Sequence, residues 1–216
     1  MEPVTLLIGG LVVAVSTTVV ALIEKYGELQ SKNVEAETLR QALVQYASTY
    51  DLENCDVEII DKCRHILARH FNGRYKETLE SLKSMEEKKK FICEVALELS
   101  KAMKVDICKV EFEELDLNTF GYANREEGLP YVVLNEYLLI ADPRQLVQTL
   151  CHELRHCMQY QAINNNVWGY SPQRVAQWLQ SLSNYVPCVS NEAYDAYTLQ
   201  IIEIDAEKYA LTIISK

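Results

Sequence analysis

Positive charge is scarce in this chain. Against 31 Asp and Glu there are 21 Lys and Arg, and the 216 residues carry a net charge of −10. A phosphate backbone needs a basic footprint, so this balance excludes a nucleic-acid partner. Paired cysteines are also missing. The seven thiols, Cys55, Cys63, Cys93, Cys108, Cys151, Cys157 and Cys188, are odd in number and scattered, with no C-x-x-C pair. They describe reduced thiols in a reducing compartment and not a disulfide framework. Internal repeats and low-complexity tracts are absent. Histidine is rare as well: the chain has four, and two of them share one short motif. What is present is ordinary globular composition, 49% apolar and 24% charged, in a length that suits one packed domain and an appendage.

One segment departs from that composition. Residues 4–23 run without a single charge. At about 1.5 Å rise per residue, a helix of this length just spans a hydrocarbon core. No Lys or Arg precedes the run, and no small-x-small site ends it, which argues against a cleavable signal peptide. A buried core helix is the other alternative. The sequence therefore predicts a transmembrane anchor in residues 1–27. Lys25, Lys32 and Arg40 follow the run, so the positive-inside bias places the rest of the protein on the cytoplasmic side.

Helical periodicity then continues to residue 104. Helices are expected over 28–50, over 57–71 with Asn72-Gly73 as its stop, and over 74–104; 51–56 reads as a polar break. Phe91, Val95, Leu99 and Met103 form the buried stripe of the third helix. His65 and His70 are five apart, share no face and have no cysteine partner, so they read as surface or packing residues. Residues 28–84 are taken as a helical linker. The period next changes to two, predicting strands over 107–115, 120–123 and 131–135, the last two as a hairpin about a turn at 124–128. An edge of this sheet could take an extended peptide by strand addition, or the sheet could simply cover the helix that follows.

That helix opens with Asp142 as N-cap, Pro143 at N1 and Gln145 placed to complete a capping box. Leu146, Val147, Leu150, Leu154 and Met158 mark its buried face to about residue 162. A helix over 172–185, a break at 187–191 and a terminal helix over 192–214 complete the chain. Off the apolar stripe lies Cys151-His152-Glu153-Leu154-Arg155-His156-Cys157, an H-E-x-x-H sequence. Residues four apart share a helix face, so both imidazoles can reach one metal ion, and Glu153 is offset to sit beside it. Cys151 and Cys157 read as core or helix-flank residues, because as ligands they would close the site. Arg155 is expected to face solvent or an acid behind the site. Glu203, Asp205 and Glu207 on the last helix could each supply a third ligand, and their spacing does not choose among them; Asp205 could instead stand behind the ligands and orient an imidazole.

H-E-x-x-H followed by Glu203-x-x-Ala206-x-x-Tyr209-Ala210 resembles the gluzincin type of zinc metallopeptidase. It is most similar to the small ImmA/IrrE-like bacterial and phage forms. The resemblance covers roughly residues 85–214. It implies an α+β fold: a mainly helical zincin-like domain over 85–216 with a small three-stranded sheet, preceded here by the transmembrane helix. It also implies Zn²⁺ held by His152, His156 and Glu203, with Glu153 as general base and a protein or peptide as substrate. Tyr170, Tyr194, Tyr197 and Tyr209 are candidates to assist the oxyanion. The alternative is a non-catalytic, membrane-tethered zinc- or partner-binding protein of the same fold.

Overall fold

The computed structural model describes residues 48–116, 119–126, 128–187 and 194–215, together with 41, 44 and 45. The apolar run at 4–23, most of the helix expected over 28–50, and Cys188 lie outside these residues. Among the described residues no helix is long and apolar enough to cross a membrane. The chain is mainly helical with one three-stranded sheet, the α+β class expected. It divides into two compact units: Leu52–Tyr170 with Asp205–Lys216, and Met1–Asp51 with Ser171–Ile204.

In the first unit, helix α1 (Asn54–Phe71) starts earlier than expected. The acids of the supposed polar break are its cap: Asp56 accepts from the Glu53 amide at 3.1 Å, and Glu53 accepts in return from the helix. Asn72, in the left-handed region at φ 47°, ends the helix as expected. The single helix expected over 74–104 is two, α2 (Tyr75–Glu80) and α3 (Met85–Met103). Ser84 adopts extended backbone and its hydroxyl accepts from the Glu87 amide, which starts a new helix. Val95, Leu99 and Met103 are buried, and Phe91 is half-buried.

Strands β1 (Val110–Glu113), β2 (Gly121–Glu126) and β3 (Leu129–Asn135) form a sheet of order β1-β3-β2. β1 is parallel and β2 antiparallel to β3, whose Val132, Val133 and Leu134 are buried. The hairpin turn is tighter than expected. Asn124, Arg125 and Glu126 pair with Tyr131, Pro130 and Leu129, so the ladder continues to a turn that includes Gly128 at φ 85°. Asn135 closes the preceding loop by donating to the carbonyls of Leu115, Asp116 and Thr119.

A short unexpected helix, α4 (Leu138–Ala141), leads into α5 (Pro143–Asn164). Asp142 caps α5 by accepting from the Gln145 amide at 3.0 Å. Gln145 does not complete a capping box, because its side chain reaches Thr149 instead. The expected apolar stripe of α5 is buried, and so are Thr149, Glu153, Arg155, His156 and Gln159. A helix enclosed on so many faces is a central element, not an amphipathic surface one. It rests on the sheet where Gly121 has no side chain. A Cβ at Gly121 would lie 2.7 Å from the Val133 carbonyl oxygen and 2.8 Å from Thr149 Cγ2.

In the second unit, Ser171 caps helix α6 (Pro172–Ser183) by accepting from the Arg174 amide. The expected terminal helix is interrupted into α7 (Tyr194–Thr198) and α8 (Ile201–Ile214). Gln200, between them, turns its amide onto the backbone of Val186, donating to its carbonyl and accepting from its N–H, both at 2.9 Å. From Asp205 onward the chain belongs to the first unit, where the Arg64 guanidinium donates to the Thr212 carbonyl at 3.1 and 2.7 Å.

Candidate metal centre

His152 and His156 are one turn apart on α5, and their Nε2 atoms converge to 3.0 Å. Glu203 lies in the first turn of α8. His152, His156 and Glu203 form a group that could hold a metal ion: one ligand atom from each lies within 4.8 Å of the others. His156 and Glu203 are buried and His152 is half-buried. Glu153, beside the first histidine, is buried at 6% exposure.

The remaining imidazole nitrogens are engaged from behind. His152 Nδ1 is 3.3 Å from Glu207 Oε2, while Glu207 Oε1 accepts from the Gln148 amide at 2.9 Å. His156 Nδ1 is 2.8 Å from Gln159 Oε1. Gln159 Nε2 in turn donates to Asp205 Oδ2 at 2.7 Å. The three acids of α8 therefore do different things. Glu203 joins the ligand group, Glu207 supports His152, and Asp205 stands one residue further back, behind Gln159.

Asp205 also meets Arg155, which does not face solvent. The Arg155 side chain is fully buried between two acids. It donates to Asp205 at 2.6 and 3.1 Å and to Asp56 at 2.7 and 3.3 Å. The Tyr170 hydroxyl donates to Asp56 at 2.6 Å and accepts from Arg155 at 2.6 Å. Tyr209 lies under the guanidinium, its ring centroid 4.3 Å away. Burial opposes the charge of Arg155, yet Asp205, Tyr170 and Asp56 hold its pKa well above the ordinary value. Burial drives the Tyr170 pKa up, with Arg155 opposing and Asp56 adding to the shift. Two of the four tyrosines considered for the oxyanion, Tyr170 and Tyr209, are thus committed to the core around Arg155.

Cys151 and Cys157 are fully buried in the core, and burial raises both thiol pKa values. His65 is exposed and bonded to the Asp61 carbonyl, while His70 packs edge-on against Phe91; neither belongs to a metal-holding group among the described residues. Three contributors were not singled out from sequence. Asp56 looked like part of a polar break. Gln159 carries no motif signal except its place three residues after His156. Tyr185, whose hydroxyl donates to Glu203 Oε1 at 3.2 Å, carries no signal in the sequence reading above. Comparison with models of protein families, with curated proteins and with solved structures finds no match, so the centre is interpreted from its own residues.

Proposed function

We propose that this protein is a zinc-dependent metallopeptidase. The observation that carries the reading is the convergence of two imidazole Nε2 atoms and a buried carboxylate, with both Nδ1 atoms engaged by acceptors. If both Nδ1 atoms carry protons, both Nε2 lone pairs point at each other across 3.0 Å, an arrangement that a bound cation relieves. Two neutral imidazoles and one carboxylate are a donor set suited to zinc, and they leave it a net positive charge. Zinc held there would supply Lewis acidity, polarising a scissile carbonyl and lowering the pKa of water.

The chain's own residues would do the rest. His152, His156 and Glu203 bind the ion. Glu207 and Gln159 orient the two imidazoles, and the Tyr185 hydroxyl orients Glu203. The Glu153 carboxylate takes a proton from water as the new C–O bond forms at the carbonyl. It then passes that proton to the amide nitrogen as the C–N bond breaks, so one water is consumed and an acid and an amine leave. The place of Glu153 on α5, next to His152 and buried at 6% exposure, supports a role in proton transfer at the centre. The substrate is a protein or peptide. The reading includes an anchor at residues 4–23 and a catalytic unit on the cytoplasmic side, supported by the charge-free run and the basic residues after it.

Purified protein should carry close to one equivalent of zinc, and the substitution Glu153→Gln should keep that metal while abolishing peptide-bond cleavage in a proteome-derived peptide library. Iron in place of zinc, or less than about half an equivalent of any metal, would overturn the assignment of the centre. Identical, null cleavage by wild type and Glu153→Gln would favour the non-catalytic binding reading.

A further inference from the structure

We infer that Gln159 is a positioning residue. It fixes which nitrogen of His156 faces the ligand group, and the buried Asp56–Arg155–Asp205 cluster sets its own orientation. The inference rests on the metal reading above and extends it from the ligands to the core behind them.

Asp56 and Asp205 are fully buried, and each is bonded through both carboxylate oxygens to one Arg155 guanidinium. Both carboxylates accept from the one guanidinium, and Asp205 Oδ2 already takes the Arg155 Nε–H at 2.6 Å, so Asp205 presents an acceptor there. The group 2.7 Å from Asp205 Oδ2 must then be the Gln159 NH₂ and not its carbonyl. That choice turns Gln159 Oε1 toward His156 Nδ1, 2.8 Å away. A carbonyl oxygen can only accept, so His156 Nδ1 must carry hydrogen. Nε2 is left as the lone-pair nitrogen, and it is the one that faces His152 Nε2.

Each link has one permitted polarity, and the sequence runs from a charge pair to a tautomer. Gln159 is itself fully buried, so no water competes for either end of its amide. Asp56 comes from the first turn of α1, whereas Arg155 and Gln159 are on α5 and Asp205 is on α8. The tautomer of one imidazole is therefore written by three helices. At His152 the Nδ1 partner is Glu207, about half exposed and at 3.3 Å.

The test uses the full chain with histidine labelled by ¹⁵N, in wild type, Gln159→Leu and Gln159→Met. In metal-free wild type the His156 Nδ1 resonance should be that of a protonated nitrogen, and in both variants it should move toward the tautomer mixture of a free imidazole. Zinc affinity, read by competition with a chromogenic chelator, should fall about 10- to 100-fold in both variants. Thermal unfolding of the metal-free forms separates this from a folding defect, and Gln159→Met preserves side-chain length if Gln159→Leu does not fold. An unprotonated His156 Nδ1 in wild type would overturn the relay, as would variants with wild-type zinc affinity. A wild type that shows the protonated Nδ1 but binds no zinc would overturn the metal reading and leave the relay standing.

Discussion

Two imidazoles one turn apart on α5, His152 and His156, direct Nε2 at Nε2 across 3.0 Å. Where both Nδ1 atoms carry the hydrogen, toward Glu207 and Gln159, the two Nε2 lone pairs oppose one another and a cation between them is favoured. Metal binding should therefore stabilise the fold by mass action. At free zinc one hundred times its Kd, the gain is about 2.7 kcal/mol. For a domain of this size that corresponds to roughly 5–11 °C in Tm. Differential scanning of chelator-stripped protein, with and without added zinc, checks it. An unchanged midpoint with zinc in excess would remove the centre.

Arg155 is fully buried between Asp56 and Asp205. Its removal takes the guanidinium from between two buried carboxylates. Breaking a buried pair from one side typically costs about 3–5 kcal/mol. Arg155→Met should reach that range in chemical denaturation at neutral pH. Arg155→Lys should recover only part of it, since a point charge cannot serve two bidentate partners at once. Loss of less than about 1 kcal/mol in Arg155→Met would show that the cluster is not structural.

How much of this was legible beforehand depended on range. The cap of α5 and its apolar stripe are written locally and were legible from Asp142, Leu146, Leu150 and Leu154, and the convergence of His152 and His156 was legible from their spacing. The breaks at Ser84 and at Gln200 were missed because a single side chain makes each one, the Ser84 hydroxyl accepting from an amide and the Gln200 amide meeting Val186 across a loop. The roles of Glu203, Asp205 and Glu207 could not be apportioned from spacing, since residues two and four apart on one helix differ only in what lies opposite them. Asp56 was unreadable for the same reason: its partner Arg155 is ninety-nine positions away.

Gly121 lets α5 seat on the hairpin. A methyl group there meets a strand carbonyl, which cannot swing aside, as well as Thr149 on the helix. Gly121→Ala should cost about 1–3 kcal/mol, the usual range for overpacking. Because the obstruction has two sides, Thr149→Ser removes only the methyl contact. The double variant should therefore recover a minority of the loss. Full recovery in urea denaturation would mean that the strand carbonyl yields, and that the helix-to-sheet spacing is not set here.

The three acids of α8 should separate by readout, because each faces a different partner. Glu203→Ala removes a donor from the ligand group, so it should lose most of the zinc while the metal-free fold is unaffected to within about 1 kcal/mol. Glu207→Ala removes the acceptor behind His152 and should retain zinc at an affinity reduced about 10-fold. Asp205→Ala should behave in the opposite sense to Glu203→Ala. It strips Arg155 and Gln159 of their shared acceptor, so destabilisation of the metal-free protein comes first, by about 3 kcal/mol or more. Zinc content and metal-free unfolding, measured on the same three preparations, place each acid on two axes. If Asp205→Ala loses zinc without loss of stability while Glu203→Ala keeps its zinc, the ligand is Asp205 and the order of the centre is reversed.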